Sequence, residues 1–206
     1  TNKIWNASRF VLLNLESLKS RMTSGFSIAS APQSFAARRN ELSLIDRWIL
    51  ARLNTTVSEI NIALEEFRFH EASHTLYHFF WHELCDWYIE FVKPKIVDKE
   101  RTGNDLSCDV LIFVFDQALR LLHPFMPFIT EELWQRLPDP GRSLAIEKFP
   151  QGRPELVDAV AEKNVETLIE LIVKIRDIRR QMNVEPARRI QANLAAFRDG
   201  RSDQLA

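Results

Sequence analysis

The chain has 206 residues, 46% of them hydrophobic, with 27 basic and 28 acidic side chains and a net charge of −1. That apolar content suffices for a buried core, the near-neutral total argues against a surface basic all over as a nucleic-acid coat would need, and no apolar run reaches the ~18–20 residues of a membrane span. Cys85 and Cys108 form no disulfide framework and have no partner at metal-ligand spacing, so they read as buried thiols of a cytoplasmic protein.

Charge is unevenly spread. Residues 1–60 hold eight basic and four acidic side chains, residues 61–175 twelve and twenty, and residues 176–206 seven and four. A polyanion is attracted to the two ends and repelled by the middle. The opening, TNKIWNASRF, lacks an initiator Met and a secretory layout and begins inside a helical pattern. The chain is therefore expected to be an internal piece of a longer protein.

In chain order, a first helix is predicted from about Asn2 to Ser20, with Ile4, Ala7, Val11, Leu15 and Leu18 on one face. A loop from Met22 to Asn40 carries Gly25 and Pro32. The second helix, Ser43 to Glu66, opens on Ser43 and Asp46, a capping box with Asp in place of Glu. The third, His70 to Lys93, is rich in aromatics and is expected to stop at Pro94. The fourth runs from Leu106 to Leu122, and the LHPFMP corner precedes a short fifth, Ile129 to Arg136. These form an antiparallel bundle over 1–138. Residues 139–154, with three prolines and two glycines, read as a linker enclosing at most one short strand in SLAIEKF. A long helix, Glu155 to Met182, then carries Leu168, Leu171, Ile172, Ile175 and Ile178 in register. The strand-like RRIQANLAAF closes the chain. The predicted architecture is all-α, followed over 155–206 by a small, incomplete α+β appendage.

His70, His74, His78 and His82 recur at four-residue steps, and two such residues can ligate zinc. At 3.6 residues per turn the row drifts about 120°, so the four cannot meet at one ion. The residues read as a solvated face, with a metal-dependent helical enzyme as the competing reading. Glu71-Ala-Ser-His74 matches half of a di-iron bundle motif, but there is no second copy. No Gly-rich phosphate loop and no nucleophile elbow occur. No catalytic residue and no metal ligand is assigned.

Asn2, Lys3, Asn6, Arg9 and Phe10 share the side of the first helix away from its apolar stripe. Amides for base edges, cations for phosphates and an aromatic for stacking suit unpaired RNA. Lys19, Arg21, Arg38 and Arg39 extend the basic surface through the loop, and Arg47 and Arg52 extend it on the second helix. A plain solvated face, as in a non-enzymatic interaction bundle, is the competing reading.

Five segments resemble one family in order and spacing: NKIWNASRF (2–10), LSLIDRWILARL (42–53), WHELCDWYIEFVKP (81–94), LLHPFMPFITEELWQRLP (121–138) and IRDIRRQMNVEPARRI (175–190). They are similar to the anticodon-binding domain of class I aminoacyl-tRNA synthetases and the start of the region after it. Isoleucyl and leucyl enzymes share the Asp46-Arg47-Trp48 word, whereas WNASRF and Cys85-Asp86-Trp87-Tyr88 fit the valyl branch better. The resemblance implies a bundle that holds the anticodon loop of valine tRNA, with Lys3, Asn6, Arg9 and Phe10 contacting it. The family's HIGH-type and KMSKS-type motifs and its editing domain are absent here. It therefore also implies that this piece binds RNA and catalyses nothing, while the full ligase uses ATP and magnesium. The expected partners are tRNA and the rest of the synthetase chain; a monomer in the cytoplasm is expected, without a membrane. Arg47 has a structural reading beside its RNA one, Trp81, Trp87 and Tyr88 read as core, and His123, Pro124 and Pro127 read as fixing a corner.

Overall fold

The computed structural model describes residues 2–98, 105–138, 140–185 and 188–189. It is all-α, with no strand among the described residues. Two compact units divide after Glu166. The first contains α1 (Asn2–Leu13), α2 (Leu15–Arg21), α3 (Ala31–Ala37), α4 (Leu44–Glu65), α5 (Phe69–His78), α6 (Ile89–Val97), α7 (Leu106–Leu122), α8 (Pro127–Trp134) and the start of α9 (Ala159–Gln181).

α4 starts as its sequence predicts. Ser43 Oγ accepts the Asp46 N–H at 3.2 Å and donates to the Asp46 carboxylate at 2.6 Å, closing the first turn. The carboxylate reaches further, taking the Tyr88 hydroxyl at 2.9 Å and the Ser107 hydroxyl at 2.7 Å. Three helical elements are thus tied at one buried carboxylate. Because Asp46 begins α4 and Tyr88 lies late in the next rod, these two elements run antiparallel, as the three-residue turn between them requires.

That rod is where the structure departs from simple periodicity. α5 and α6 are joined through Phe79–Tyr88 in π register, which widens the turn beyond 3.6 residues. Phe79, Phe80, Leu84 and Tyr88 fill the core from it, whereas Trp81 and Trp87 are only half-buried, against Tyr77 and Phe91 respectively. The core reading therefore holds for Tyr88 but not for the two tryptophans. Pro94 does not end the helix either. It lies inside α6, which continues to Val97. One lost hydrogen bond near the helix end is offset by burial of Val92 and Ile96, at about 1.5–3 kcal/mol for each fully buried side chain.

α7 matches its predicted bounds and is buried nearly all round, as a central helix must be. Its buried Asp116 is satisfied by Trp134 Nε1 at 2.6 Å and Arg120 Nε at 2.8 Å. The predicted corner is also found. The His123 ring nitrogen Nδ1 lies 2.8 Å from the Thr130 hydroxyl, which donates to Met126 O, and Pro127 occupies the first turn of α8.

Three further expectations change. The first predicted helix is broken at Asn14, whose side chain bonds Phe10 O at 2.8 Å, and the loop 22–40 contains α3. Residues 140–153 are not a linker but a strap packed on the bundle. Leu144 is buried, Asn61 donates to Pro150 O at 3.0 Å, and a Cβ at Gly152 would lie 2.7 Å from Ser58 Oγ. The strap holds a 3-10 turn, Leu144–Ile146, where a strand was considered. Residues 155–166 belong to the first unit too, since Ala161 and Val165 are fully buried.

The second unit comprises the rest of α9 and its exit turn, in which Asn183 takes a left-handed φ of 50° and Arg179 donates to Glu185 O at 2.7 Å. The closing strand expected over 188–197 falls outside the described residues after Arg189.

Candidate nucleic-acid interface

α1 buries Ala7, Ser8 and Val11 and turns the opposite face to solvent. Trp5 is 49% exposed and Leu13 73%, with Asn6 and Arg9 exposed between them. At 100° per residue Trp5, Asn6, Arg9 and Leu13 fall within about one quadrant. Arg9 makes no ion pair among the described residues. Phe10, half-buried at the edge of this face, lies under the Lys93 ammonium at 5.5 Å, and Lys93 also pairs with Glu90 at 2.5 Å. Asn2 and Lys3 belong to the same helix, but their side chains lie outside the described residues. Trp5 was overlooked as a candidate because a tryptophan in a helical word reads as core. The signal that could have found it was its position on the polar side of the stripe.

The remaining predicted contacts are committed elsewhere. Lys19 is exposed and pairs with Glu16 at 3.6 Å. Arg21 is a correction. Its side chain is only 7% exposed, donates to Lys95 O at 2.8 Å at the end of α6 and pairs with Asp105 at 3.4 Å. It satisfies carbonyls that a helix end leaves unpaired, so it is not available to RNA. Arg38 forms a two-pronged bond to Glu41, which raises its pKa despite some desolvation.

Arg39, Arg47 and Arg52 also have internal partners. Arg39 and Arg47 converge on Asp158 at 2.9 and 3.3 Å, and Arg39 also donates to Val157 O at 2.9 Å. Asp158 caps α9 through the Ala161 N–H at 3.0 Å. Burial pushes this carboxyl up, but that cap bond and the two guanidinium groups outweigh it and hold the pKa below the usual carboxylate value. Arg52 is fixed by both oxygens of Glu83 at 2.8 and 3.0 Å and by Glu162 at 3.4 Å. Burial opposes its charge, yet the two acids raise its pKa. These three arginines fasten α9 to α4 and the rod. The structural alternative considered for Arg47 is the geometry found, with a carboxylate 111 residues away as the partner.

The four histidines are all exposed. His78 Nδ1 faces Glu83 at 3.3 Å and His82 Nδ1 faces Asp86 at 3.4 Å. Among the described residues no group of three or more His, Cys, Asp or Glu side chains converges in a way that suits a metal ion. No helix among them is long and apolar enough to cross a membrane.

Comparison with known proteins agrees with this architecture. The family model for the anticodon-binding domain of tRNA ligases matches residues 46–194. The valine–tRNA ligase of Thermotoga maritima is 42% identical over 99% of the chain, and that of Carboxydothermus hydrogenoformans 46% over 91%. The enzyme of Bacillus cereus is 37% identical over 95%. The chain spans about a fifth of the length of these relatives, 20–21%. α1 precedes the family match but lies within the Thermotoga alignment, which takes in 204 residues. The chain belongs to the anticodon-binding domain family of tRNA ligases.

Proposed function

We propose that this chain is the module of a valine–tRNA ligase that receives the anticodon loop of valine tRNA, and that the α1 face is where it does so. The observation that carries the reading is the contrast in cation use. Arg21, Arg38, Arg39, Arg47 and Arg52 are all held by internal partners, whereas Arg9, beside Trp5 and Asn6, makes no ion pair among the described residues. An exposed indole, an amide and an unpaired guanidinium supply stacking, base-edge hydrogen bonds and charge on one rigid helix. The identity to valine–tRNA ligases supports the valyl assignment.

Activation of valine with ATP and magnesium is the work of the remaining synthetase chain. The full ligase works as a cytoplasmic monomer in this reading.

The test is a fluorescence-anisotropy titration of the chain with valine tRNA and an anticodon-swapped variant, at two salt concentrations. Tighter binding to the valine anticodon that persists at higher salt is expected. Arg9→Ala should weaken binding by about 1–3 kcal/mol if the guanidinium reads a base edge. If it meets a phosphate instead, the salt slope should fall by about one unit for every tRNA alike. Unchanged affinity and slope in this variant refute the α1 face.

A further inference from the structure

Beside the bundle lies a groove of about 660 Å³ that the assignment to α1 leaves unused. Its size is that of a small-ligand site, roughly 300–1,000 Å³. Phe26 and Ile28 from the segment after α2, Phe149 from the strap, and Trp134 and Arg120 lie in its lining. Phe26, Ile28 and Phe149 are half-buried, so part of each apolar face remains open.

The charge around this groove runs against its surroundings. Residues 61–175 carry eight more acidic than basic side chains, twenty against twelve. Among the described residues the acids in the groove lining are Asp116 and Glu147, both held by Arg120, at 2.8 and 3.1 Å. Lys148 and Arg153 are exposed in the lining, and among the described residues their side chains make no ion pair or hydrogen bond. The strap is anchored here through main-chain atoms: Lys148 O accepts from Arg120, and the Arg153 N–H donates to Asn54. Its backbone is fixed while its two cations have no partner among the described residues.

We propose that this groove is a second RNA-binding surface, taking an unpaired nucleotide of the tRNA against its aromatic lining, Phe26 and Phe149, with its phosphates on Lys148 and Arg153. Aromatic faces combined with unpaired cations are what single-stranded nucleic acid needs, whereas a protein segment docking there would have to desolvate two charges with no acid supplied. The groove begins at Met22, just after α2, and α2 follows α1 in the chain with Lys19 exposed on it. The inference rests on the tRNA-binding reading but not on which α1 residue makes contact.

The test uses the same labelled valine tRNA transcript between about 50 and 200 mM salt, with three variants in parallel. Lys148→Ala/Arg153→Ala removes only exposed, unpaired side chains and should lower the salt slope by about 1.5–2. Phe149→Ala should weaken binding about 5- to 150-fold with little change in slope. Arg9→Ala reports on α1 alone. Independently of any variant, tRNA should protect Lys148 of the native chain from acetylation, read by mass spectrometry.

If Arg9→Ala weakens binding while the groove variants match the native chain and Lys148 stays reactive, the groove proposal is overturned and α1 stands. The groove is then left for another part of the synthetase. If the groove variants weaken binding and Arg9→Ala does not, the α1 reading falls and the groove remains.

Discussion

Replacing Asp158 with Ala tests the latch that places the start of α9. Asp158 caps the helix through the Ala161 N–H and receives Arg39 and Arg47. A lost N-cap costs about 1 kcal/mol. Each guanidinium is 33–40% exposed, so its pair contributes about 0.5 kcal/mol. Arg39 keeps its bond to Val157 O, but Arg47, whose Nε already lacks a partner, is left unpaired. The sum is about 2 kcal/mol, or roughly 4–8 °C in Tm at about 2–4 °C per kcal/mol for a chain of this length. Asp158→Asn keeps a good cap and removes only the charge, so it should cost about half as much. The pH dependence has a definite sign. The folded pKa of Asp158 is depressed, so its charge-dependent stabilisation is full above the unfolded value near ~4 and fades as pH falls below that. The native and Asn forms should therefore converge in acid. The assay is urea unfolding followed by circular dichroism from pH 7 to about pH 3. An Ala variant within about 0.5 kcal/mol of the native chain, or an Asn variant as damaged as Ala, would refute the latch.

Phe67→Gly should stabilise the chain. Phe67 closes α4 at φ 59°, is 78% exposed and carries the left-handed cost that glycine avoids, so about 0.5–1 kcal/mol is expected by thermal melting. Tyr88→Phe removes a buried hydroxyl from the Asp46 carboxylate and should cost about 2 kcal/mol in urea unfolding, while Phe67→Ala should change little. Burial pushes the Cys108 thiol up to about 11, so iodoacetamide at pH 8 should leave it unmodified in the native chain and alkylate it once unfolded, as peptide mass spectrometry would report.

Helical periodicity and local caps made much of the fold legible. α7 has its predicted ends, and α4 begins at the Ser43–Asp46 box, because capping and amphipathicity involve residues three or four apart. The buried and solvent faces of α1 were legible for the same reason, which is why Asn6 and Arg9 lie where the pattern put them. The family words carried the functional assignment, since their order and spacing are properties of the chain itself.

Only the tertiary structure decided what the cations do. Arg21 meets Lys95 and Ile96, Arg39 and Arg47 meet Asp158, and Arg52 meets Glu83 and Glu162, with partners separated by 31 to 119 residues in sequence. A basic residue has the same local signature whether it faces a phosphate or a carboxylate on another helix. The π register of Phe79–Tyr88 and the continuation past Pro94 were also invisible locally, because core packing supplied by α4 and α7 overrides helix propensity there. The strap over 140–153 reads as a linker from its prolines and glycines, yet Asn61, Arg120 and Glu131 bind its backbone, and it lines part of the groove. Polar and apolar positions on each helix were legible in the sequence; the crossing of distant helices chose which charges were neutralised and which were left exposed.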